Sequence, residues 1–133
     1  MKSEKAKMLA GEHYNPMDEV LSKSRMKTRK ILFKFNRTKP KNLKQRKTLI
    51  RKLLPSIGKN FTFEPPFYCD YGWNIAIGEN FFANYNCIIL DVNKVSIGNN
   101  CLFAPGVVQA VDGAASLVGP MLDIVAEYAV GLA

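Results

Sequence analysis

An Ile-Gly unit followed by a polar pair recurs three times at a fixed interval. Asn74–Asn80 reads NIAIGEN, Val95–Asn100 reads VSIGNN, and Ile57–Asn60 reads IGKN, a shorter copy. Ile57, Ile77 and Ile97 are therefore evenly spaced. Their step is slightly longer than the roughly 18 residues of one turn of a left-handed parallel β-helix built from three hexapeptides. Such turns stack short strands at the usual sheet spacing of roughly 4.8 Å. Aliphatic residues at every sixth position fill the interior: Ala83 and Ile89 follow Ile77 by six and twelve, and Phe103 follows Ile97 by six. Glycine after each Ile lets the chain turn a tight corner without a Cβ clash. One coil cannot bury its own core, so coils must stack. The competing reading is an antiparallel sheet with Gly-Asn turns. The six-residue register favours the β-helix. It predicts about two and a half coils over 58–107, with Ile77, Ile89, Ile97 and Phe103 pointing inward.

Three short helices are expected ahead of the repeats. Lys2–Leu9 carries helix formers and stops at Ala10-Gly11, a good helix end. Asp18 is an N-cap for a helix from Glu19 to about Asn36, with Leu21, Thr28, Ile31, Leu32 and Phe35 on one face. A third runs from Leu43 to Leu54, with Leu43, Ile50, Leu53 and Leu54 as its stripe and Pro55 closing it. One-sided stripes need a partner, and an end or flank of the β-helix supplies one. The expected divisions are a helical region over 1–56, coils over 57–107 and a tail over 108–133. The fold class is mainly β: an incomplete left-handed parallel β-helix preceded by short α-helices.

Charge is unevenly spread. Residues 1–60 hold 18 of the 19 Lys and Arg against four acidic residues, whereas 61–133 hold Lys94 alone against seven acidic residues. Such asymmetry raises nucleic-acid or membrane-surface binding as a question. No base-stacking or groove-reading motif accompanies it, so the charges read as solvated helix faces and nucleic acid is not an expected partner. No N-terminal apolar segment has signal length and no apolar run is long enough to span a bilayer, so the reading is a cytoplasmic chain with no membrane contact. Cys69, Cys87 and Cys101 lack CxxC spacing, and His13 is the single histidine. No metal site is expected, and the thiols read as reduced and buried. Cys69 and Cys87 are separated by three hexapeptide lengths and would stack on adjacent coils.

Phe63–Tyr71 reads FEPPFYCDY, its two prolines forcing an extended chain just before the repeats. Asp70, Asn84 and Asp91 follow at intervals of 14 and 7. That spacing need not place them on one face. Their carboxylates and amide can bind the hydroxyls of a sugar or alcohol. They can equally satisfy backbone groups at coil corners, and spacing alone favours the corner role.

These residues also carry a resemblance. MLAGEHY over Met8–Tyr14, followed by Asp18 and Leu21, resembles the helical start of the maltose and galactoside O-acetyltransferases. So does Pro65–Val107, with its PPF, CDYG, NIAIG and FFAN segments. The resemblance implies a trimeric left-handed β-helix. It implies acetyl transfer from acetyl-CoA to a sugar hydroxyl, with no metal, in sites formed between neighbouring subunits. It implies acceptor-side roles for Asp70 and Asn84, for Asp91 in ILDV and, more weakly, for Asp18.

The resemblance stops after APGV. The family continues into a threonine-rich segment ending in His-Pro, whose histidine is the general base. Here the chain reads VQAVDGAASLVGPMLDIVAEYAVGLA, and the base position falls near Ala114. Gln109 stands six after Phe103, where an inward aliphatic belongs. A truncation or frameshift after Val107 is the expectation, with a divergent cap, one helix over Leu117–Val130, as its alternative. Catalytic residues are then absent, acetyl-CoA binding and trimer formation are in doubt, and the chain is expected to be inactive. The alternative function is a non-catalytic interaction or nucleic-acid-binding protein using the basic helices.

Overall fold

The computed structural model describes residues 1–111, 121–124 and 129–130. Three helices come first: α1 Glu4–Leu9, α2 Glu19–Asn36 and α3 Leu43–Leu53. Each starts where a capping side chain satisfies a free N–H. Ser3 accepts from Ala6, Asp18 from Leu21 and Asn42 from Gln45. α2 buries Leu21, Thr28, Ile31, Leu32 and Phe35, the stripe expected from its sequence. α3 buries Ile50 and Leu53, but Leu43 is exposed, which corrects its place in the stripe. Leu43 sits in the first turn of α3 and borders an open groove with Phe35, Arg46 and Phe61.

Eleven short strands follow among the described residues: β1 Ser56–Ile57, β2 Phe61–Phe63, β3 Phe67–Cys69, β4 Ile75–Ile77, β5 Phe81–Ala83, β6 Cys87–Asp91, β7 Lys94–Ile97, β8 Leu102–Phe103, β9 Val108–Val111, β10 Met121–Ile124 and β11 Ala129–Val130. They fall into three sheets, β1-β4-β7-β10, β2-β5-β8-β11 and β3-β6-β9, and every pairing is parallel. The chain visits the three sheets in rotation, so it climbs as a three-sided coil. The antiparallel alternative is excluded.

The offset between the first coils is constant: Ile57 lies beside Ile77, Ile77 beside Ile97, and Phe61 beside Phe81. Its excess over three hexapeptides has one location. Ile77 to Ala83 and Ala83 to Ile89 are six-residue steps, but Ile89 to Ile97 is eight. The corner between the third and first sheets is thus longer than the others. It also breaks the expected stacking of two thiols, because Cys87 lies beside Phe67 and Cys69 beside Ile89. All three cysteines are buried, and none is in a disulfide.

Strand pairing continues past Val107. β9 runs alongside β6, with Gln109 beside Ile89 and half-buried. β10 lies on β7 and β11 on β8 at a wider offset than in the earlier coils, Lys94 to Met121 and Leu102 to Ala129. The helix considered over Leu117–Val130 is therefore corrected, because 121–124 and 129–130 are strands. The physical reason is the open edge of β7 and β8, whose unpaired N–H and C=O groups recruit the following chain. Leu122 and Ile124 fall in register with Val95 and Ile97. The remainder of the tail lies outside the described residues.

A shared core runs through helices and coil. Ile31, Leu32, Phe35, Ile50, Leu53 and Leu54 join Phe61, Phe63, Phe67, Ile75, Ile77, Phe81, Ile89, Val95, Ile97 and Phe103. Each such side chain contributes roughly 1.5–3 kcal/mol on burial. The rings of Phe63, Phe81 and Phe103 follow one another at centroid separations of 5.2 and 5.1 Å, one per coil. Helices and coil therefore form one cooperative unit, with α2 against β3 and α3 against β2.

Candidate acceptor site

The long corner stacks 70–74 beneath 91–94, and Asp91 is its centre. Its Oδ1 accepts the backbone N–H of Asp70 and of Tyr71, both at 2.9 Å, and its Oδ2 accepts that of Gly72 at 2.8 Å. Asn74 donates its side-chain amide to the Asp91 carbonyl at 2.9 Å. Asp91 is fully buried. Burial pushes its carboxyl up to about 6, against the downward pull of the three N–H donors, while the neighbouring Asp70 charge adds a further upward push. Both oxygens are committed to backbone, so Asp91 holds the corner and presents nothing to solvent. Asn93, also buried, donates to the carbonyls of Met8 and Leu9 at 3.2 Å each and so docks the end of α1 on the same corner.

Asp70 sits at the rim, half-buried. Its carboxyl is raised by burial, and the Arg25 and Arg29 guanidiniums oppose that rise. No described residue donates a hydrogen bond to its carboxylate. Arg25 bridges α2 to the corner: it donates to the Tyr71 hydroxyl at 2.7 Å and to the Pro16 carbonyl at 2.6 Å. Thr28 donates to the Tyr71 carbonyl at 2.7 Å. Met8, Leu21 and Tyr71 make a small apolar cluster behind this rim, with Trp73 and Val92 against it.

Asn84 occupies a different corner, between β5 and β6. Its N–H donates to the Phe103 carbonyl at 3.0 Å, and its Oδ1 accepts the Tyr85 N–H at 2.9 Å. The side-chain amide nitrogen has no partner among the described residues. Asn84 is half-buried, with Tyr85 exposed beside it. β6 separates the two corners, a run of about 13 Å for a five-residue strand. The structure therefore brings Asp70 and Asp91 together and leaves Asn84 at the other end of the sheet. Asp18 turns its Oδ2 to the start of α2, where it accepts the Leu21 N–H. His13 is exposed on the connector after α1. The family base position near Ala114 lies outside the described residues.

Sequence reasoning misses Arg25, Tyr71 and Asn93. In sequence, Arg25 is one of many cations on a basic helix. The eight-residue step from Ile89 to Ile97 is a usable signal for the long corner that Asn93 and Asp91 organise. Among the described residues no cluster of His, Cys, Asp and Glu could hold a metal, and no helix is long and apolar enough to cross a membrane.

Comparison with known proteins fits this geometry. The family model for the maltose acetyltransferase hexapeptide capping motif matches residues 7–58, from the end of α1 through α2 and α3 to the first strand. A maltose O-acetyltransferase from Clostridium difficile 630 superposes with a TM-score of 0.79 at 46% identity, over 80% of this chain and 57% of that one. The match to the hexapeptide-repeat maltose and galactoside O-acetyltransferases is strong at the level of the family. A galactoside acetyltransferase solved in complex with coenzyme A gives a TM-score of 0.80 at 36% identity, over 84% of this chain and 56% of that one. The galactoside O-acetyltransferase of Escherichia coli K12 is 39% identical over 104 residues, 78% of this chain and 51% of that protein. The chain spans about half the length of the curated relatives it matches.

Proposed function

We propose that this chain carries the acceptor side of an acetyl-CoA-dependent sugar O-acetyltransferase, with Asp70 and Asn84 meeting the acceptor hydroxyls. The observation that carries this reading is the state of the two side chains. Both are half-buried at coil corners, and each keeps polar atoms that no described residue uses. Asp91 and Asp18 support the site from behind, as corner and helix cap. In this reading the coil winds left-handed and three copies assemble, so that the Asp70 corner of one protomer meets the Asn84 corner of the next. The length of β6 keeps the two corners of one protomer too far apart for a single hydroxyl, which makes a site between subunits the economical arrangement. The outer faces favour it as well. Tyr68, Leu90 and Val108 on the third sheet and Leu102 on the second are exposed, whereas the first sheet shows Ser56, Ala76 and Ser96. Apolar faces of this kind mark contact surfaces.

Acetyl-CoA is the donor in this reading, supported by relatives solved with coenzyme A and with acetyl coenzyme A. Transfer requires a base to take the proton of the attacking hydroxyl, and such a base typically supplies 10²–10⁴ in rate. His13 is the single histidine, and it lies on the helical side of the chain. Asp112, two residues before Ala114 in sequence, is a weak substitute, because an ordinary aspartate has a pKa of about 4. The 133-residue chain therefore binds acceptor but transfers acetyl groups poorly. Titration calorimetry with maltose, glucose and a galactoside tests binding, and a thiol-release assay with acetyl-CoA tests transfer. Weak sugar binding lost in Asn84→Ala, without sugar-dependent release of coenzyme A, is the expected pair of results. No binding to any of these sugars would overturn the acceptor assignment. Rapid sugar-dependent release would overturn the inactive reading, and its loss in His13→Ala would point to His13 as the base.

A further inference from the structure

The stretch from 20 to 63 contains fifteen Lys and Arg and no Asp or Glu. The fold gathers part of this charge into one concave feature. Lys27, Lys30 and Lys34 on α2 and Lys52 on α3 line a groove of about 190 Å³, floored by Ile31 and Leu49. The three α2 lysines recur at i, i+3 and i+7, which aligns them along one side of the helix over about 10 Å. A second cavity continues the groove past Lys27 and Lys52 toward Thr28 and Tyr71. Ion pairs among the described residues engage Lys2, Lys7, Lys23 and Arg46. None of the four groove lysines has an acidic or hydrogen-bonding partner there.

Charge complementarity and shape together select an occupant. A concave groove lined by one sign of charge focuses the field and attracts a counter-charge. Its cations are spread along a line, and further cations continue on both helices, so an extended polyanion suits it better than a single phosphate. A planar membrane would meet the rims of the groove rather than its floor. The apolar residues exposed on the outer side of α2, Met26 and Phe33, do not form an insertion face, because the Arg37 guanidinium covers the Phe33 ring at 3.6 Å. The lining of the groove itself carries no aromatic ring for a base to stack on.

We propose that the α2–α3 groove binds the phosphate backbone of nucleic acid without regard to sequence, anchored by Lys27, Lys30, Lys34 and Lys52. The proposal is independent of the acetyltransferase reading. Each neutralised phosphate contributes about −0.9 to the slope of log affinity against log salt on duplex DNA. Four anchors then give a slope of about −3.6, a loss of roughly 10²-fold between 50 and 200 mM salt.

Fluorescence anisotropy of the full chain with two labelled 24-base-pair DNA duplexes of unrelated sequence reads this directly. The expected result is equal affinity for both duplexes and a slope near that value. It should fall by about one in each of Lys30→Gln and Lys52→Gln, with unchanged circular dichroism melting. The combined variant Lys27→Gln/Lys30→Gln/Lys34→Gln/Lys52→Gln should lose at least tenfold more affinity than Lys39→Gln/Lys41→Gln/Lys44→Gln/Lys59→Gln, which removes the same charge outside the groove. Equal losses in the two combined variants would overturn the groove assignment. So would absence of DNA binding at the lower of those salt concentrations, or tighter groove-dependent binding to vesicles of phosphatidylserine and phosphatidylcholine than to DNA.

Discussion

The Asp91 carboxylate receives the backbone N–H of Gly72 at 2.8 Å from one coil below, and so clamps the long corner to its neighbour. Tyr71 and Asp70 donate to the same carboxylate. Three donors on one fully buried group make this contact the point where helices, corner and coil meet.

A pH dependence follows from it. Burial raises the folded Asp91 carboxyl to about 6, above its usual 3.8. The folded state therefore holds a proton that the unfolded state has released between those two values. By linkage, stability contributed through this group is full below about 4 and is lost as pH rises through about 6. In Asp91→Asn that dependence is gone. The stability advantage of the native chain over Asp91→Asn should grow by on the order of 2–3 kcal/mol between pH 7.5 and pH 4. Urea unfolding of both proteins across this range measures it, and a constant gap would contradict the raised carboxyl.

The coil is legible in the sequence and the contacts of its long corner are not. Ile57, Ile77 and Ile97 announce a repeat because an interior filled by aliphatics tolerates few alternatives. Ile89, Phe103 and the stripe of α2 are readable for the same reason. Asp91 reads as an acceptor-side residue because a carboxylate in a hexapeptide carries no local mark of what its oxygens will accept. Its three donors lie a full coil earlier in the chain, and only the stacking register brings them together. The lysine groove is hidden for a related reason, since Lys52 meets Lys27 only after α3 folds against α2. Gln109 breaks the interior pattern in sequence, yet β9 still pairs with β6, because a parallel edge pairs through backbone and tolerates that side chain.

Gly72 offers a sharper test of the corner. Its φ is +87°, and a Cβ there would lie 2.2 Å from the Leu53 carbonyl oxygen. Gly72→Ala thus combines backbone strain with a clash against the end of α3. Gly106 also has positive φ, +76°, but a Cβ there meets nothing within 4 Å. Gly72→Ala should destabilise the fold by more than about 2 kcal/mol, whereas Gly106→Ala should cost only about 1 kcal/mol of backbone strain. Urea midpoints of the two variants compare them directly, and equal losses would show that the Leu53 contact yields easily.

A ladder of amides stacks at another corner. Asn60 donates to the Asn80 side-chain oxygen at 2.9 Å, and Asn80 donates to that of Asn100 at 2.9 Å. Asn80 also adopts φ of 57°, where asparagine is tolerated and alanine is strained. Both Asn80→Ala and Asn80→Gly delete the ladder, but only alanine retains the strain. The alanine variant should therefore be less stable than the glycine variant by about 1 kcal/mol. Thermal unfolding of the pair decides this, and a glycine variant no better than alanine would assign the cost to the amides alone.

The ionisation of Asp70 is tied to α2. Burial raises its carboxyl, and Arg25 first and Arg29 second oppose that rise. An acceptor hydroxyl donating to Asp70 is best received by a carboxylate, so the arginines favour the form the proposed site needs. Arg25→Met keeps an aliphatic stem near Tyr71 while removing the charge. The Asp70 midpoint should then move higher, and by more than in Arg29→Met. With the folded value raised, the stability linked to Asp70 is present below its unfolded pKa and is lost as pH rises through the folded one. Arg25→Met widens that window upward. Carbon-13 titration of the Asp70 carboxyl in the three proteins reads the midpoints. Sugar affinity measured beside it should fall in Arg25→Met at pH values where Asp70 has gained its proton and recover above them. A fall in the Asp70 midpoint, or a larger rise in Arg29→Met, would reverse the electrostatic order on which this corner rests.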